Sequence, residues 1–365
     1  MTLSVCGDVM LGRGVDQLLA SPGDPTLHES YIVDARRYVE LAERANGPIP
    51  RPVSPEWVWG DALEVLDRAA PDVRLVNLET AITYSDDFAP GKAIHYRMSP
   101  ANIDCLIAGK PDVCVLANNH VLDFGQTGLD ETLRTLDRAG LRSVGAGRDV
   151  AAARRLAVLP LPGGNRLVVL AFGTPTSGVP VRWAATEQRG GIELLAHLTA
   201  ENASKLADRV AQVKRPGDIV IASIHWGSNW GFEVSDRQVR FAHRLIDSGV
   251  DVIHGHSSHH PRPIEIYRGK LVLYGCGDFI DDYEGIRGYE EFRDDLRLLY
   301  LVKLDAGGGQ LTGLRMVPLQ AYRMRLRHAS GEDGGWLHTT LERISRDFGQ
   351  HLDINPDGSL ELRAP

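Results

Sequence analysis

Four histidines fall within seven positions of the segment Val252-Ile-His-Gly-His-Ser-Ser-His-His260, directly after an apolar run. Neutral imidazole is the commonest metal ligand, and histidine is also the side chain whose proton moves most easily near neutral pH. The cluster therefore points to metal binding, proton transfer or both, against the plain alternative of a histidine-rich surface loop that takes up metal by accident. Partners elsewhere in the chain separate the two. Gly7-Asp8, Asn77-Leu-Glu79, Asn118-Asn-His-Val-Leu-Asp123 and His225-Trp-Gly227 each close an apolar, strand-like run with polar residues of the same chemical kind. A single strand-end Asp is more often a cap or turn former, so the signal is the recurrence. Strand carboxyl ends are where α/β enzymes place their chemistry.

The elements that must position these residues follow from hydrophobic periodicity. Leu3 to Val9 reads as a buried strand, and from Asp61 helices and strands alternate. The pattern predicts a helix to Ala69, strands over 73–77 and 112–117, helices near 101–108 and 128–139, and a short strand ending at Val144. The runs 157–161 and 167–172 flank Pro162-Gly-Gly-Asn165 as a hairpin. A helix over 200–213, a strand over 219–225, a helix over 236–248, a strand over 250–254 and a hairpin over 264–275 follow. After Asp294 come strands over 296–304 and 311–319, a helix near 336–348 and a terminal hairpin around 355–358. Alternation of this kind implies βαβ units in sheets covered on both faces. The expected organisation is one catalytic α/β domain over 1–295 and a C-terminal set of strands and a helix, 296–365, packed on it. The segment 20–60, with a helix over 31–46 and a proline-punctuated stretch, is expected to be a cap beside the site.

Composition narrows the partners. The chain has 365 residues, 43% of them apolar, and a formal charge of −8 with no block of Lys or Arg. That balance argues against nucleic acid and anionic membrane and points to a small or peptidic ligand. The four cysteines lack CxxC spacing and read as buried free thiols in a reducing compartment. No basic and apolar leader pattern and no apolar window of ~18 residues is visible, so a soluble cytoplasmic protein is expected.

The ordered set Gly7-Asp-Val-Met-Leu-Gly-Arg13, Asn77-Leu-Glu79, Asn118-Asn-His120 with Asp123, His225-Trp-Gly227 and Gly255-His256 to His259 resembles the calcineurin-like metallophosphoesterase superfamily, and more closely its CapA branch. The resemblance implies a four-layer αββα sandwich of α/β class with a C-terminal α+β extension. It also implies metal ligands at Asp8, Glu79, Asn119, His225, His256 and His259, and a proton donor at His120. Three positions depart from the pattern. Met10 stands where a first-site histidine is usual, Glu79 where a bridging Asp is usual, and Asp278, in Tyr274-Gly-Cys-Gly-Asp-Phe279, where CapA sequences carry Asn. One of two metal sites is thereby thinned. The remaining set suits one divalent cation, with carboxylate and amide donors favouring Ca²⁺, Mg²⁺ or Mn²⁺ and three or more imidazoles favouring Zn²⁺, Fe²⁺ or Mn²⁺.

Asp8, His120, Asp123, His225, His256, His259 and Asp278 are the candidates for proton transfer, with His254 and His260 as orienting or packing neighbours. Arg13 either grips a substrate carboxylate or phosphate bidentately or pairs with a structural acid. Trp226 is a candidate substrate wall or a packing residue. Beyond Asp278, the acidic run to Glu284 reads as a solvated loop.

Three functional expectations follow, with a peptide substrate as the expected partner. Metal-dependent hydrolysis of a phosphoester, peptide or poly-γ-glutamate bond rests on the superfamily resemblance, with His120 protonating the leaving group. Epimerisation at a carbon next to a carboxyl group needs an ene-diolate stabilised by a cation and an acid and a base on opposite faces. Two His/Asp pairs beside one cation would serve, and the chain resembles the CapA-type epimerase that inverts the C-terminal residue of a lasso-peptide precursor. Epimerisation is the preferred expectation. A non-enzymatic binding module is the third.

Overall fold

The computed structural model describes residues 1–305 and 307–362. Among them, two sheets face each other. The larger has ten strands, ordered Leu352–Ile354, Leu360–Leu362, Leu311–Ala321, Leu296–Leu304, Thr2–Val9, Val73–Leu78, Val113–Val115, Arg142–Val144, with Asp278–Ile280 paired to Thr2–Val9 and Leu326–His328 to Leu311–Ala321. The smaller has six, ordered Ile264–Tyr267, Lys270–Leu273, Val252–His256, Ile219–His225, Arg166–Gly173, Ala157–Pro160.

Period-two alternation turns this into four layers. Along Arg166–Gly173, Leu167, Val169 and Ala171 join a core cluster with Leu3, Val5, Val73 and Leu75 of the larger sheet. The intervening Val168, Leu170 and Phe172 pack instead with Leu206 of helix Ala200–Val213 and with Phe241 and Leu245 of helix Asp236–Asp247. Val76, Leu78, Cys114 and Leu116 cover the outer face of the larger sheet together with Leu129, Leu133 and Leu136 of helix Gly125–Arg138. Burying each Leu, Val or Phe contributes about 1.5–3 kcal/mol, so these three clusters dominate the stability. Beyond residue 295, Leu296–Leu304 extends the larger sheet antiparallel to Thr2–Val9, and Leu311–Ala321 pairs antiparallel with it in turn.

Several expected elements shift. In the segment 20–60 the helix spans Arg36–Asn46, because Asp34 accepts from the Arg36 amide and the chain before it bridges Thr26 to Asp34. This segment is more than a cover, since Tyr38, Val39 and Trp59 belong to the core on the outer face of the larger sheet. The C-terminal helix starts at Gly331, capped by the Ser330 side chain, with a polar first turn that apolar periodicity does not reveal. The acidic run is not solvated: Asp281 pairs with Arg297 and Asp282 with Arg13, both buried. All four cysteines are free and buried, and no helix is long and apolar enough to cross a membrane among the described residues.

Candidate functional site

Strand register brings the polar ends together. Asp8 is the Cα partner of both Asn77 and Asp278, and His225 of His256. The approach of the 276–278 segment needs Gly7, where an added Cβ would lie 1.7 Å from the Gly277 carbonyl oxygen. Asp8 is fully buried, with Asn77 Nδ2 donating to its Oδ1 at 2.6 Å and the Ser257 amide to its Oδ2 at 3.1 Å. Glu79 Oε1 lies 3.7 Å from His120 Nε2 and 3.8 Å from His225 Nε2, whereas its buried Oε2 has no hydrogen-bond partner. His225 Nε2 is 3.0 Å from Asn119 Oδ1; His225 Nδ1 is 2.8 Å from His256 Nδ1, itself 3.8 Å from Asp8 Oδ1. Asn118 ties the loops together, donating to Asn77 Oδ1 and the Leu78 carbonyl and accepting from the amides of His120 and Val121.

The electrostatics of this cluster favour an added positive charge. Burial, and then the charge of Asp278, raises Asp8 to about 7. Burial, and then Asp8, pushes Glu79 well above the usual carboxylate range. Burial also holds His225 and His256 well below the ordinary histidine value, so both offer lone pairs. Crowded carboxylates, neutral imidazoles, an amide oxygen and an unpartnered carboxylate oxygen fit a divalent cation. Asp8, His225 and His256 present ligand atoms that all lie within 4.8 Å of one another. Met10, fully buried, adds no hard donor.

Two His–carboxylate pairs accompany this donor set. His120 Nδ1 is 2.6 Å from Asp123 Oδ2, which also accepts from the Tyr96 amide at 2.7 Å. Lys92 donates to Asp123 Oδ1 and to the Asn119 carbonyl, and its Nζ lies 2.9 Å from His120 Nδ1. Burial, and then the Lys92 charge, lowers His120 well below its ordinary value. In the second pair His259 Nδ1 is 3.0 Å from Asp278 Oδ1, and His259 Nε2 is 3.0 Å from Asn229 Nδ2. Burial opposes charge on His259, but Asp278 outweighs it and raises the pKa. One imidazole is thus held neutral and the other biased toward charge, which sets up different roles for the two.

A cavity of about 890 Å³ opens beside His259, walled by Tyr31, Ile32 and Leu41 of the 20–60 segment and by Trp230, Tyr283 and Tyr289. Two expected substrate contacts are not free to serve it. The Arg13 guanidinium grips Asp282 through Nε and Nη2 and donates from Nη1 to Glu29 and Tyr38 at 2.9 and 3.0 Å, so it is a structural clamp. Trp226 is 1% exposed, packs among the helix-facing core residues and donates Nε1 to the Tyr274 carbonyl at 3.0 Å. Trp230 takes the wall position, stacked on Tyr289 with ring centres 3.9 Å apart. Lys92 and Asn229, which no motif singled out, enter the site from loops; Pro90-Gly-Lys92 carries only a turn signal.

Two helix-covered sheets with ligand-type residues at the strand ends define a calcineurin-like, metallophosphoesterase-type fold. The chain belongs to the family described as bacterial capsule synthesis protein PGA_cap, whose model matches residues 2–283. It is 54% identical over 363 residues to the "Probable polyglutamine synthesis accessory protein" of Mycobacterium tuberculosis, covering 99% of this chain and 96% of that one. It is 27% identical over 309 residues to the PGA biosynthesis protein CapA of Bacillus subtilis, covering 84% of this chain and 69% of the relative.

Proposed function

We propose that this protein is a metal-dependent enzyme that hydrolyses an amide bond in a peptide-type chain of glutamate or glutamine residues. The observation that carries the reading is the convergence on Glu79 Oε1 of His120 Nε2 at 3.7 Å and His225 Nε2 at 3.8 Å, which puts a proton-transfer group beside the cation's donor set. Asp8, Glu79, Asn119 and His225 would hold the cation, with His256 Nδ1 set against His225 Nδ1 beside them. Bound there, a Ca²⁺, Mg²⁺, Mn²⁺ or Zn²⁺ ion supplies Lewis acidity toward a carbonyl oxygen and a water. His120, neutral and oriented through Nδ1 by Asp123, takes a proton at Nε2 from the attacking water and returns it to the leaving nitrogen. His259, backed by Asp278, brings positive charge to the cavity wall, where a chain carboxylate meets it. The names of the relatives in polyglutamine and PGA synthesis support a chain of this type as substrate.

Epimerisation at Cα is the second reading, favoured by one observation: the two His–carboxylate pairs are separate and biased to opposite protonation states. His120 would abstract the α-proton and His259 return one. A single experiment divides the readings. Oligoglutamate and oligoglutamine chains are incubated with the protein and each cation in D₂O, and product mass and chirality are followed. Shortened chains without deuterium at Cα support hydrolysis, and inversion with one deuterium supports epimerisation. No change in any chain with any cation would sink both.

A further inference from the structure

Four side chains run in one hydrogen-bonded line from the interior of the sandwich to the donor set. Ser223 and His254 are Cα partners, as are His225 and His256 two residues on, and all four are at most 1% exposed. Alternation along the two strands places them on the face of Ile219, Ile221 and Val252, which packs between the sheets, while Val220, Ala222, Ile224 and Ile253 face the helices. Hydroxyl and imidazole groups are unfavourable in such a layer unless every one is hydrogen-bonded.

One end of the line admits a single proton order. His254 Nε2 lies 2.8 Å from the Cys6 carbonyl oxygen, on a strand of the facing sheet. A carbonyl only accepts, so a neutral His254 carries its proton on Nε2 and a lone pair on Nδ1. That Nδ1 is 3.0 Å from Ser223 Oγ, whose hydroxyl therefore donates to it. The same Oγ accepts from His256 Nε2 at 3.0 Å, which leaves a lone pair on His256 Nδ1. His225 Nδ1, 2.8 Å away, must then donate, and the remaining His225 lone pair sits on Nε2. It faces Asn119 Oδ1 at 3.0 Å and Glu79 Oε1 at 3.8 Å, oxygens that would share a cation with it.

We infer that Ser223 and His254 are positioning residues: anchored on the Cys6 carbonyl, they order the protons of His256 and His225 so that His225 presents Nε2 as a ligand toward Asn119 and Glu79. His254 is not a ligand, since both its nitrogens are spent inside the sandwich. The consequence for binding rests on the cation reading proposed above, whereas the proton order belongs to the cation-free chain.

¹⁵N-histidine NMR of the cation-free protein reads the order directly. His254 and His256 are expected as Nε2–H tautomers and His225 as Nδ1–H; His254 or His256 found as Nδ1–H overturns the relay. Calorimetric titration with Mn²⁺ reads the consequence. Ser223→Ala is expected to weaken binding by about 10–100-fold, the usual effect of removing an orienting partner, and Ser223→Thr, which keeps the hydroxyl, to recover most of it. Unchanged affinity in a folded Ser223→Ala protein overturns the positioning role; if that variant does not fold, the wild-type tautomers decide. A wild-type protein that binds no Mn²⁺, Zn²⁺, Mg²⁺ or Ca²⁺ but shows the expected tautomers fails the cation reading and leaves the proton order standing.

Discussion

Nδ1 of His259 stands 3.0 Å from Oδ1 of Asp278 beside the cavity, and this carboxylate raises the imidazole's pKa against the effect of burial. A folded-state pKa above the unfolded value of about 6.5 contributes stability that is fully present below that value. It is lost as pH rises through the folded value. The cation-free protein should therefore lose thermal stability as pH climbs through and above the ordinary histidine range. Asp278→Asn should flatten the part of the profile that lies in this range. A melting curve series with the same slope in both proteins would show that the pair is not the source.

The cation itself should bind with the opposite pH dependence. Burial, and then the charge of Asp278, raises Asp8 to about 7, and burial, and then Asp8, pushes Glu79 well above the carboxylate range. In the cation-free protein these raised values remove stability as pH rises from the unfolded carboxylate range toward 7 and beyond, since the unfolded chain ionises first. A bound cation replaces those protons, so its affinity should increase with pH and its binding should release protons. Calorimetry in two buffers of different ionisation heat measures the release. Affinity that stays level with pH would contradict the assignment of Asp8 and Glu79 to the cation.

Lys92 should be structurally expensive to remove. Its side chain is 12% exposed, it lies on a fully buried Asp123, and it also holds the Asn119 carbonyl. Lys92→Met leaves the Asp123 carboxylate buried with only a neutral imidazole and an amide beside it, and breaking a buried pair in this way costs about 3–5 kcal/mol. Lys92→Met combined with Asp123→Asn should lose less than the sum of the two single changes. Denaturant unfolding of all four proteins gives the coupling, and strict additivity would show that the two groups act independently.

How far these groups could be foreseen depends on where their partners lie. Helix Ala200–Val213 and strand Ile219–His225 have the bounds that periodicity predicts, because their apolar spacing is local. The strand-end residues Asp8, Glu79 and Asn119 stand out for the same reason: a polar residue closing an apolar run is visible without knowing the fold. Lys92 is 31 positions from Asp123 on a turn whose composition says only that it is a turn. Trp226 as wall and Trp226 as core are chemically the same residue, and only the packing against Tyr274 and its neighbours decides between them. The acidic run reads as solvated because the Arg13 partner of Asp282 is 269 positions away.

Ser257 offers the sharpest test of strain at the site. Its φ of 102° lies where side chains other than glycine rarely sit, yet that conformation aims its amide at Asp8 Oδ2, 3.1 Å away. The buried hydroxyl has no partner, so the side chain offsets none of the strain. Ser257→Gly keeps the amide and removes both the steric clash, worth about 1–3 kcal/mol, and the orphaned hydroxyl. The added chain entropy of glycine opposes this by about 0.5–1 kcal/mol. The cation-free variant should therefore be more stable by about 1 kcal/mol, the difference of these terms. Its Mn²⁺ affinity should be no better than that of the wild type, because the glycine holds the amide less firmly toward Asp8. A variant that unfolds more easily would mean the conformation is not strained; a tighter cation site would mean that Ser257 hinders Asp8 instead of orienting it.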